Sequence, residues 1–419
     1  MPYEVLLKKN QYYVTRPQII INHGTYIIII FLHIFIDNLR FEHNRNPLHI
    51  TKIVNYMLVI LGITLILVTF LFLFFHHPQF GKKASGIRWE TIKKSPHFKN
   101  KKFHNLNHTP ELTEGYNYGH IIYNLYFKKN KRGKPKGPIP SIKTNLKNFP
   151  VDHDVLLWFG HSSYFLQIHG LRILVDPVFS GNASPIPGSN RAFQGTDQYK
   201  VQDLPEIDCL LITHDHYDHL DYDTIRQLKP KKVICGLGVG AHFEHWGYSP
   251  HLIKELDWNE KTKIGNDITL ISATARHFSG RRFSRSNTLW LSFIIQTPIH
   301  KIYLGGDSGY DTHFADLGQK YGPFDLVILE NGQYDPAWIY LHATPEEVLM
   351  AARDLKAKML LPVHSSKFLM ANHSWDDPLN KISALNENYN IPLITPKIGE
   401  VVYLENHRQV FEDWWKDIN

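Results

Sequence analysis

The segment 213–219, which reads T-H-D-H-Y-D-H, limits the fold and chemistry of this chain more than any other part of the sequence. It follows the apolar run 209–213 and has the pattern H-x-H-x-D-H, formed by His214, His216, Asp218 and His219. A short loop at a strand end directs these side chains into one space, and neutral imidazole is a preferred zinc ligand. Because the pattern arises by chance in roughly one chain in 200 of this length, we interpret it as a metal site and not as a solvated loop.

Further candidate metal ligands follow other strand-like runs. His277, Asp307 and His364 each come after a short apolar run. Asp307 lies in the sequence G-G-D-S-G, where glycine allows the backbone to approach a site closely. Each residue alone is more often structural. Together with 213–219 they supply enough nitrogen and oxygen ligands for two metal ions with water between them.

From about residue 152 the chain alternates short apolar runs with turns. The runs have the length and the β-branched or aromatic content of strands: 155–159, 164–168, 172–175, 209–213, 232–235, 268–273, 289–297, 301–304, 326–329 and 358–362. Helical patterns lie between them, such as 345–355, which begins with a threonine cap, a proline and two acids. Interleaved strands and helices predict a layered α/β domain, and the opening 155–176 predicts that part of its sheets is antiparallel.

The order of these ligands resembles that of the metallo-β-lactamase fold hydrolases. The flanking motifs are similar to those of the N-acyl-phosphatidylethanolamine phospholipase D group: 158–163, 176–179, 277–281, 306–310, 334–338 and 342–347. The resemblance covers roughly 150–400 and extends to the ascorbate-phosphate lactonases. It implies a four-layer αββα sandwich, with a catalytic domain over 151–403 and a C-terminal tail over 404–419.

The resemblance also assigns the metal ligands. The first ion is bound by three imidazoles: His214, His216 and His277. The second ion is bound by a mixed set: Asp218, His219 and His364. Asp307 bridges both ions. These ligands suit two zinc ions, although manganese and iron use similar sites.

The mechanism that the resemblance implies is attack on phosphorus by a hydroxide held between two metal ions. Asp307 orients the hydroxide and is therefore a catalytic residue as well as a ligand. His342 matches a family position that lines the substrate cavity, where it contacts the phosphate or assists the leaving alkoxide. His161 and Tyr334 are further candidates for substrate binding, and His161 is also a candidate for supporting the ligands.

An uncharged apolar run of 23 residues, 53–75, precedes this domain. At about 1.5 Å per residue it spans the hydrocarbon core of a bilayer, and no small-residue cleavage site follows it. We therefore predict a single transmembrane anchor. Residues 77–150 hold 16 Lys or Arg against 3 Asp or Glu, which predicts a membrane-proximal segment and places the catalytic domain on the cytoplasmic side.

The N-terminal extension, 1–52, fits this picture poorly, since its apolar run 26–36 is too short to span a membrane. Our hypothesis is that translation begins at Met57. The two cysteines, Cys209 and Cys235, lie in apolar runs and exclude a disulfide framework or a zinc finger.

Three hypotheses for the function remain open. The first is a membrane-anchored phosphodiesterase that cleaves N-acyl-phosphatidylethanolamine-like phospholipids. The second is a metal-dependent hydrolase of a small soluble ester, lactone or phosphate. The third is a protein that processes or binds nucleic acid with its basic segment, which we do not expect, because the charge follows an apolar span. Four aromatic residues either line an acyl channel or pack in a core: Trp246, Phe283, Trp290 and Trp338. The sequence leaves the oligomeric state open.

Overall fold

The computed structural model of the protein describes residues 47–418, except 129, 283 and 407. Residues 1–46 of the predicted extension and the aromatic residue Phe283 therefore lie outside the described residues. The chain divides after Phe75 into two compact units.

The first unit is described from helix α1, Pro47–Phe75. Its part Thr51–Phe75 is long and apolar enough to cross a membrane, with a mean hydropathy of 3.0, and none of that apolar window is buried by the protein. The helix begins before the predicted span 53–75 and ends at the same residue.

The second unit contains the remaining helices and all the described strands. The helices are α2 Gly86–Lys94, α3 Tyr118–Phe127, α4 Tyr222–Ile225, α5 Gly240–His245, α6 His313–Lys320, α7 Pro345–Asp354 and α8 Asp377–Leu385. The strands are β1 Phe98–Lys99, β2 Lys102–Phe103, β3 Val155–Trp158, β4 Tyr164–Ile168, β5 Leu171–Val175, β6 Cys209–Ile212, β7 Lys232–Gly236, β8 Ile253–Leu256, β9 Lys261–Lys263, β10 Thr269–Ala273, β11 Gly280–Arg281, β12 Ser284–Arg285, β13 Ser292–Gln296, β14 Lys301–Leu304, β15 Leu326–Glu330, β16 Leu360–Val363 and β17 Val401–Tyr403.

Two mixed sheets form the body of this unit. The first has the strand order β17-β3-β4-β5-β6-β7-β8, and the second has the order β16-β15-β14-β13-β10-β9. The first sheet is antiparallel from β17 to β5 and parallel from β5 to β8. The prediction of an α/β domain with partly antiparallel sheets is confirmed.

Alternation along the strands distributes the apolar side chains between three cores. In β3, Leu156 and Trp158 join the cluster between the two sheets, whereas Val155 and Leu157 join the cluster beneath α4 and α5. A third cluster lies between the second sheet and α6, α7 and α8. Since successive residues of a strand point to opposite faces, each sheet is covered on both sides. The result is a helix–sheet–sheet–helix arrangement.

The predicted strand 289–297 is shorter in the structure, where β13 begins only at Ser292. The residues before it pair with loops instead of a neighbouring strand. The Leu289 N–H donates to the Leu237 carbonyl at 2.8 Å, and the Leu291 N–H donates to the Thr213 carbonyl at 2.9 Å. Apolar composition alone does not distinguish these two kinds of pairing.

Residues 77–150 are more than the membrane-proximal linker that their composition predicts. Ile92, Phe103 and Ile139 are buried in the cluster between the sheets, and Leu146 joins the cluster beneath α4 and α5. Arg88 is paired with two glutamates of the catalytic domain. Each of these residues belongs to a short separate element or loop that buries a single apolar side chain, so they leave no periodic signal in the sequence.

The predicted tail, 404–419, also contributes to the core. Leu404, Trp414 and Trp415 lie in the cluster between the sheets, and all three are at most 4% exposed. The Trp415 indole N–H donates to the Asn380 amide oxygen at 3.0 Å. The segment is therefore an integral part of the folded unit.

We expect Trp415→Ala to lower the free energy of unfolding by about 3–5 kcal/mol, because it leaves a large cavity in a packed core. The control Val410→Ala changes a side chain that is 88% exposed and should alter stability by less than about 0.5 kcal/mol. Denaturant unfolding of the full-length protein in detergent measures both effects. Equal unfolding midpoints for the two variants would contradict the assignment of the tail to the core.

Candidate metal centre

The seven predicted ligands come together at one edge of the two sheets. The segment 213–219 follows β6, and single ligands follow β10, β14 and β16. They form two groups of side chains whose ligand atoms lie within 4.8 Å of one another, and Asp307 lies between the groups. The strands of both sheets thus end at a common site.

The first group contains His214, His216, His277 and Asp307. The His216 Nδ1 atom lies 2.9 Å from His214 Nε2 and 3.2 Å from His277 Nε2. Asp307 Oδ2 lies 3.7 Å from the Nε2 atoms of His214 and His277. Three imidazole nitrogens and one carboxylate oxygen therefore surround one small volume.

The second group contains Asp218, His219, His364 and also His161. His219 Nε2 lies 3.4 Å from Asp218 Oδ2, and the same oxygen lies 3.0 Å from His161 Nε2. Asp307 Oδ1 lies 3.2 Å from both His219 Nε2 and His364 Nδ1. Each oxygen of Asp307 consequently faces a different group.

Neighbouring groups hold the imidazole rings in place. Asp176 Oδ2 lies 2.8 Å from His219 Nδ1, and Thr213 Oγ1 lies 3.0 Å from His214 Nδ1. The His277 Nδ1 atom lies 3.1 Å from the carbonyl oxygen of Leu341. A partner on one ring nitrogen fixes the orientation of the other, which is how metal-binding histidines are usually supported.

The backbone at the site adopts conformations that few side chains tolerate. His161 and His364 have positive φ angles of 53° and 63°. Their loops bind each other, because the His364 N–H donates to the His161 carbonyl at 3.0 Å and the His161 N–H donates to the Ser365 carbonyl at 3.0 Å. Strained residues of this kind concentrate at functional sites.

Gly306, which precedes Asp307, has a φ angle of 61°. A Cβ atom at this position would lie 2.9 Å from Thr213 Cβ and 3.0 Å from the Leu291 carbonyl oxygen. Glycine therefore allows the Asp307 loop to approach the histidine loop, as the G-G-D-S-G sequence predicts.

Burial and charge set the protonation of the ligands. Burial lowers the pKa values of His214, His277 and His364 well below the ordinary value, so these rings are held in the neutral form that binds metals. Burial alone would also lower the pKa of His219, but Asp307 and the other nearby carboxylates outweigh this effect. The pKa of His219 therefore lies well above its ordinary value. A cation is therefore strongly favoured at that position.

His342 stands at the rim of the site beside a buried acid. Its Nδ1 atom lies 2.6 Å from Glu330 Oε2. Burial raises the pKa of Glu330 to about 7. Burial alone would lower the pKa of His342, but the neighbouring Glu330 carboxylate has a larger and opposite effect. The pKa of His342 is therefore raised, to about 9. His342 lines the cavity over the metal groups and a second cavity that contains Tyr334.

Residues 171–365 match the protein family described as the beta-lactamase superfamily domain. An uncharacterized protein of Mycobacterium tuberculosis is 35% identical over 344 residues, covering 80% of this chain and 91% of that protein. The N-acyl-phosphatidylethanolamine-hydrolyzing phospholipase D 1 of Caenorhabditis elegans is 28% identical over 268 residues, covering 58% of this chain and 74% of the relative.

A solved structure of a metallo hydrolase from the archaeon Ignicoccus hospitalis superposes with a TM-score of 0.46 and 18% identity, covering 59% of this chain and 97% of that structure. This chain belongs to the metallo-β-lactamase superfamily. Within it, the chain is related to the N-acyl-phosphatidylethanolamine phospholipases D.

The metallo-β-lactamase fold implies metal ions, and the residues of the two groups fit them. The His219 Nε2, His364 Nε2 and Asp307 Oδ1 atoms are buried and make no hydrogen bond with the part of the chain that the structure describes. Buried polar atoms are rarely left without a partner, and neutral imidazoles beside ionised carboxylates form a donor set for divalent metal ions. The chain is accordingly a metal-dependent hydrolase by fold.

The other two predicted substrate contacts, His161 and Tyr334, differ in position: His161 takes the supporting position that was its second predicted role, and Tyr334 lines the second cavity together with His342. His161 is fully buried, and its ring lies 4.1 Å from that of His364, so it supports Asp218 from behind and has no free surface for a substrate. The Tyr334 hydroxyl donates to Asp377 on the wall of the second cavity. Among the aromatic candidates, Trp338 lines the cavity over the metal groups, whereas Trp290 is core.

Three functional neighbours were not predicted from the sequence. Asp176 lies within a quoted motif but had no assigned role, and Glu330 ends β15 without any local motif. Lys367 is buried, and its ammonium group donates to the carbonyl oxygens of Phe159 at 3.3 Å and Val178 at 2.9 Å. Burial lowers the pKa of Lys367 to about 8. Each of these residues is identified by the group that it contacts in the structure, because its residue type alone does not indicate a role.

The buried lysine predicts a pH dependence of stability. An unfolded lysine has a pKa of about 10.4, so between about pH 8 and 10 the unfolded chain binds more protons at this position than the folded chain. The free energy of unfolding of the wild type should therefore rise with pH relative to that of Lys367→Met, by up to about 3 kcal/mol. Thermal unfolding of both proteins from pH 7.5 to 10 measures this difference.

Lys381→Met serves as the control, since the Lys381 side chain is 53% exposed. Its unfolding temperature should follow that of the wild type across the same pH range. Parallel curves for the wild type and Lys367→Met would show that Lys367 stays protonated in the folded protein over this range.

Proposed function

We propose that the protein is a membrane-anchored, binuclear zinc phosphodiesterase that cleaves N-acyl-phosphatidylethanolamine-like phospholipids in the manner of a phospholipase D. The observation that carries the proposal is the cavity over the two metal groups, whose floor holds the candidate ligands and whose walls are largely apolar. The relationship to phospholipases D of this specificity supports the same substrate class.

The cavity has a volume of about 250 Å³. His216, Asp218, Asp307 and His342 form its polar end. Its apolar walls come from six residues: Leu112, Ile121, Phe278, Trp338, Leu341 and Met370. Tyr118, Gln333 and the ion pair of Arg285 with Glu111 also line it. A site with a polar end and apolar walls suits an amphiphile whose phosphate must reach the metal groups while its chains stay out of water.

Helix α3 extends the apolar surface from the cavity to the outside of the protein. Ile121 lines the cavity, while Ile122, Tyr123 and Phe127 are 54%, 50% and 76% exposed. Basic residues follow the helix: Lys128, Lys131, Arg132, Lys134 and Lys136. Exposed apolar and aromatic side chains next to basic residues are typical of a helix that lies in a membrane interface. We infer that lipid enters the cavity along α3.

The first group would hold one zinc ion and the second group another, and Asp307 would be the ligand that they share. When bound there, the ions would polarise the phosphate and lower the pKa of a water molecule toward 7. The chain itself positions the reactants. His342, held by Glu330 through Nδ1, faces the cavity, where it donates a hydrogen bond to the phosphate or a proton to the leaving alkoxide.

The products follow from the bonds that change. Water attacks phosphorus, and the bond between phosphorus and the N-acylethanolamine oxygen breaks. The hydroxyl of water stays on phosphorus as phosphatidate, and its proton leaves with the alkoxide. Positioning and electrostatic stabilisation supply most of the rate enhancement in such transfers.

The membrane location is part of the proposal. Thr51–Phe75 would form a single span, and the excess of Lys and Arg after it favours a cytoplasmic catalytic domain. An anchored enzyme meets a lipid substrate at the surface where that substrate resides.

Asp307→Asn should lower hydrolysis of N-acyl-phosphatidylethanolamine in vesicles by more than about 100-fold, which exceeds the effect typical of residues that only support metal ligands. The reason is that the variant removes the carboxylate charge shared by both groups. Asp316→Asn, an exposed position on α6, is the matched control and should keep full activity. Phosphatidate release and elemental analysis of bound metal on the same samples measure the effect.

Two outcomes of that experiment would count against parts of the proposal. Near-normal turnover in Asp307→Asn would contradict its bridging role. A wild-type protein that binds two metal ions but leaves the phospholipid intact would instead favour a small soluble ester, lactone or phosphate as substrate.

Ile122→Glu and Phe127→Glu should reduce hydrolysis in vesicles by about 10- to 100-fold, because each places a charge where an apolar side chain contacts lipid. Turnover of a short-chain, monomeric substrate analogue should stay unchanged, since both side chains point away from the protein. Ile186→Glu, at a position that is 55% exposed, is the control. An equal loss on both substrates would show that α3 acts in the fold and not in lipid access.

A further inference from the structure

We propose that a third metal-binding site, formed by Asp154, His300 and Glu405, lies at the end of the sandwich opposite the metal centre. Asp154 precedes β3 and His161 follows it, while His300 precedes β14 and Asp307 follows it. The two strands therefore carry the metal centre at one end and this cluster at the other, about 13 Å apart for a strand of four residues.

The ligand atoms of the three residues have the spacing that one ion requires. One ligand atom from each residue lies within 4.8 Å of the other two. His300 Nε2 and Asp154 Oδ2 are 3.5 Å apart. Two ligands on a tetrahedral zinc ion, with bonds of about 2.0–2.2 Å, lie about 3.3–3.5 Å apart.

The His300 ring is the strongest sign of a missing partner. Its side chain is only 9% exposed, and its Nε2 atom makes no hydrogen bond with the part of the chain that the structure describes. The backbone around it is fixed, because the His300 N–H donates to Thr297 Oγ1 at 2.8 Å and the Thr297 N–H donates to the His300 carbonyl at 2.9 Å. The backbone of His300 is thus fixed, and its Nε2 atom lies beside Asp154 without a hydrogen bond.

A protonated His300 would satisfy this geometry less well than a metal ion. A charge-assisted hydrogen bond between nitrogen and a carboxylate is usually about 2.7–2.9 Å long, which is shorter than the observed 3.5 Å separation. A cation placed between the two atoms binds both at once. The observed gap therefore favours a metal ion over a simple ion pair.

Neighbouring groups prepare the carboxylate and complete the donor set. Asp154 Oδ1 accepts the His169 N–H at 2.7 Å, which leaves Oδ2 directed at His300. The His169 Nε2 atom lies 3.9 Å from that same Oδ2 atom. Glu405 is exposed, so the site opens to solvent on its side. Imidazole and carboxylate ligands with an open position suit Zn²⁺ or a related divalent ion.

A metal ion here would join the two sheets. Asp154 and Glu405 border β3 and β17, which are neighbours in the first sheet, whereas His300 lies in the turn between β13 and β14 of the second sheet. The expected role is structural, because the cluster lies at the end of these strands away from the metal centre. Zinc should then stabilise the folded protein independently of catalysis.

The test compares the zinc content of full-length proteins after equilibration with Zn²⁺ in a chelator buffer. His300→Gln should bind one zinc ion per chain fewer than the wild type and keep its hydrolytic activity. His153→Gln is the matched control, because His153 is an exposed neighbour outside the cluster and should leave the zinc content unchanged.

Glu405→Gln provides a second variant at an exposed position, where the substitution leaves the fold intact. It should weaken the binding of one zinc ion by about 10- to 100-fold and lower the zinc-dependent rise in unfolding temperature. Unchanged zinc content and affinity in both His300→Gln and Glu405→Gln would overturn the proposal. The measurement is a difference of one ion between variants, so its outcome does not depend on the number of ions or the substrate at the metal centre.

Discussion

The burial of Asp307 between two groups of imidazoles is the interaction on which the rest of the site depends. Burial alone would raise the pKa of Asp307, but the charge and hydrogen bond of His219, whose own pKa is raised, hold it well below its ordinary value. The carboxylate therefore stays ionised inside the protein, with one oxygen facing each group. An arrangement of this kind is stable only when cations balance the carboxylates and the neutral imidazoles are free to bind them. The superfamily meets this requirement with metal ions.

Both sheets supply side chains to the two groups, so the site forms only when the two sheets pack together. His214, His216, Asp218 and His219 follow a strand of the first sheet, whereas His277, Asp307 and His364 follow strands of the second. The apolar cluster between the sheets fixes their separation, and Asp176 and Gly306 adjust the approach of the loops. A change in packing between the sheets would move the two halves of each ligand group apart.

The segment 77–150, which precedes the strands of the two sheets, packs into the same fold and lines the cavity over the metal groups. Its Ile92 and Phe103 are anchored in the core, and this anchoring positions Leu112, Tyr118 and Ile121 at the cavity. The basic charge that dominates its composition is partly used inside the protein, where Arg88 pairs with Glu244 and Glu255. A composition that indicates only a membrane-facing linker thus conceals one wall of the candidate active site.

The sequence by itself determined the superfamily, ten of the seventeen described strands and seven of the eight residues in the two groups of side chains. It could do so because these features are local: an apolar run, followed by a short polar motif, predicts a strand and its terminal ligands without knowledge of their partners. The apolar helix that ends at Phe75 was predictable for the same reason.

Only the tertiary structure decided which residues contact the predicted ligands and which line the cavity. Asp176, Glu330 and Lys367 are buried beside groups that the fold brings to them, and His161 is removed from the cavity by the loop that holds His364 against it. The pairing of Asp154 with His300 across the two sheets is likewise absent from any local pattern. Contacts between distant segments depend on how the sheets pack, and a pattern read along one chain does not contain that information.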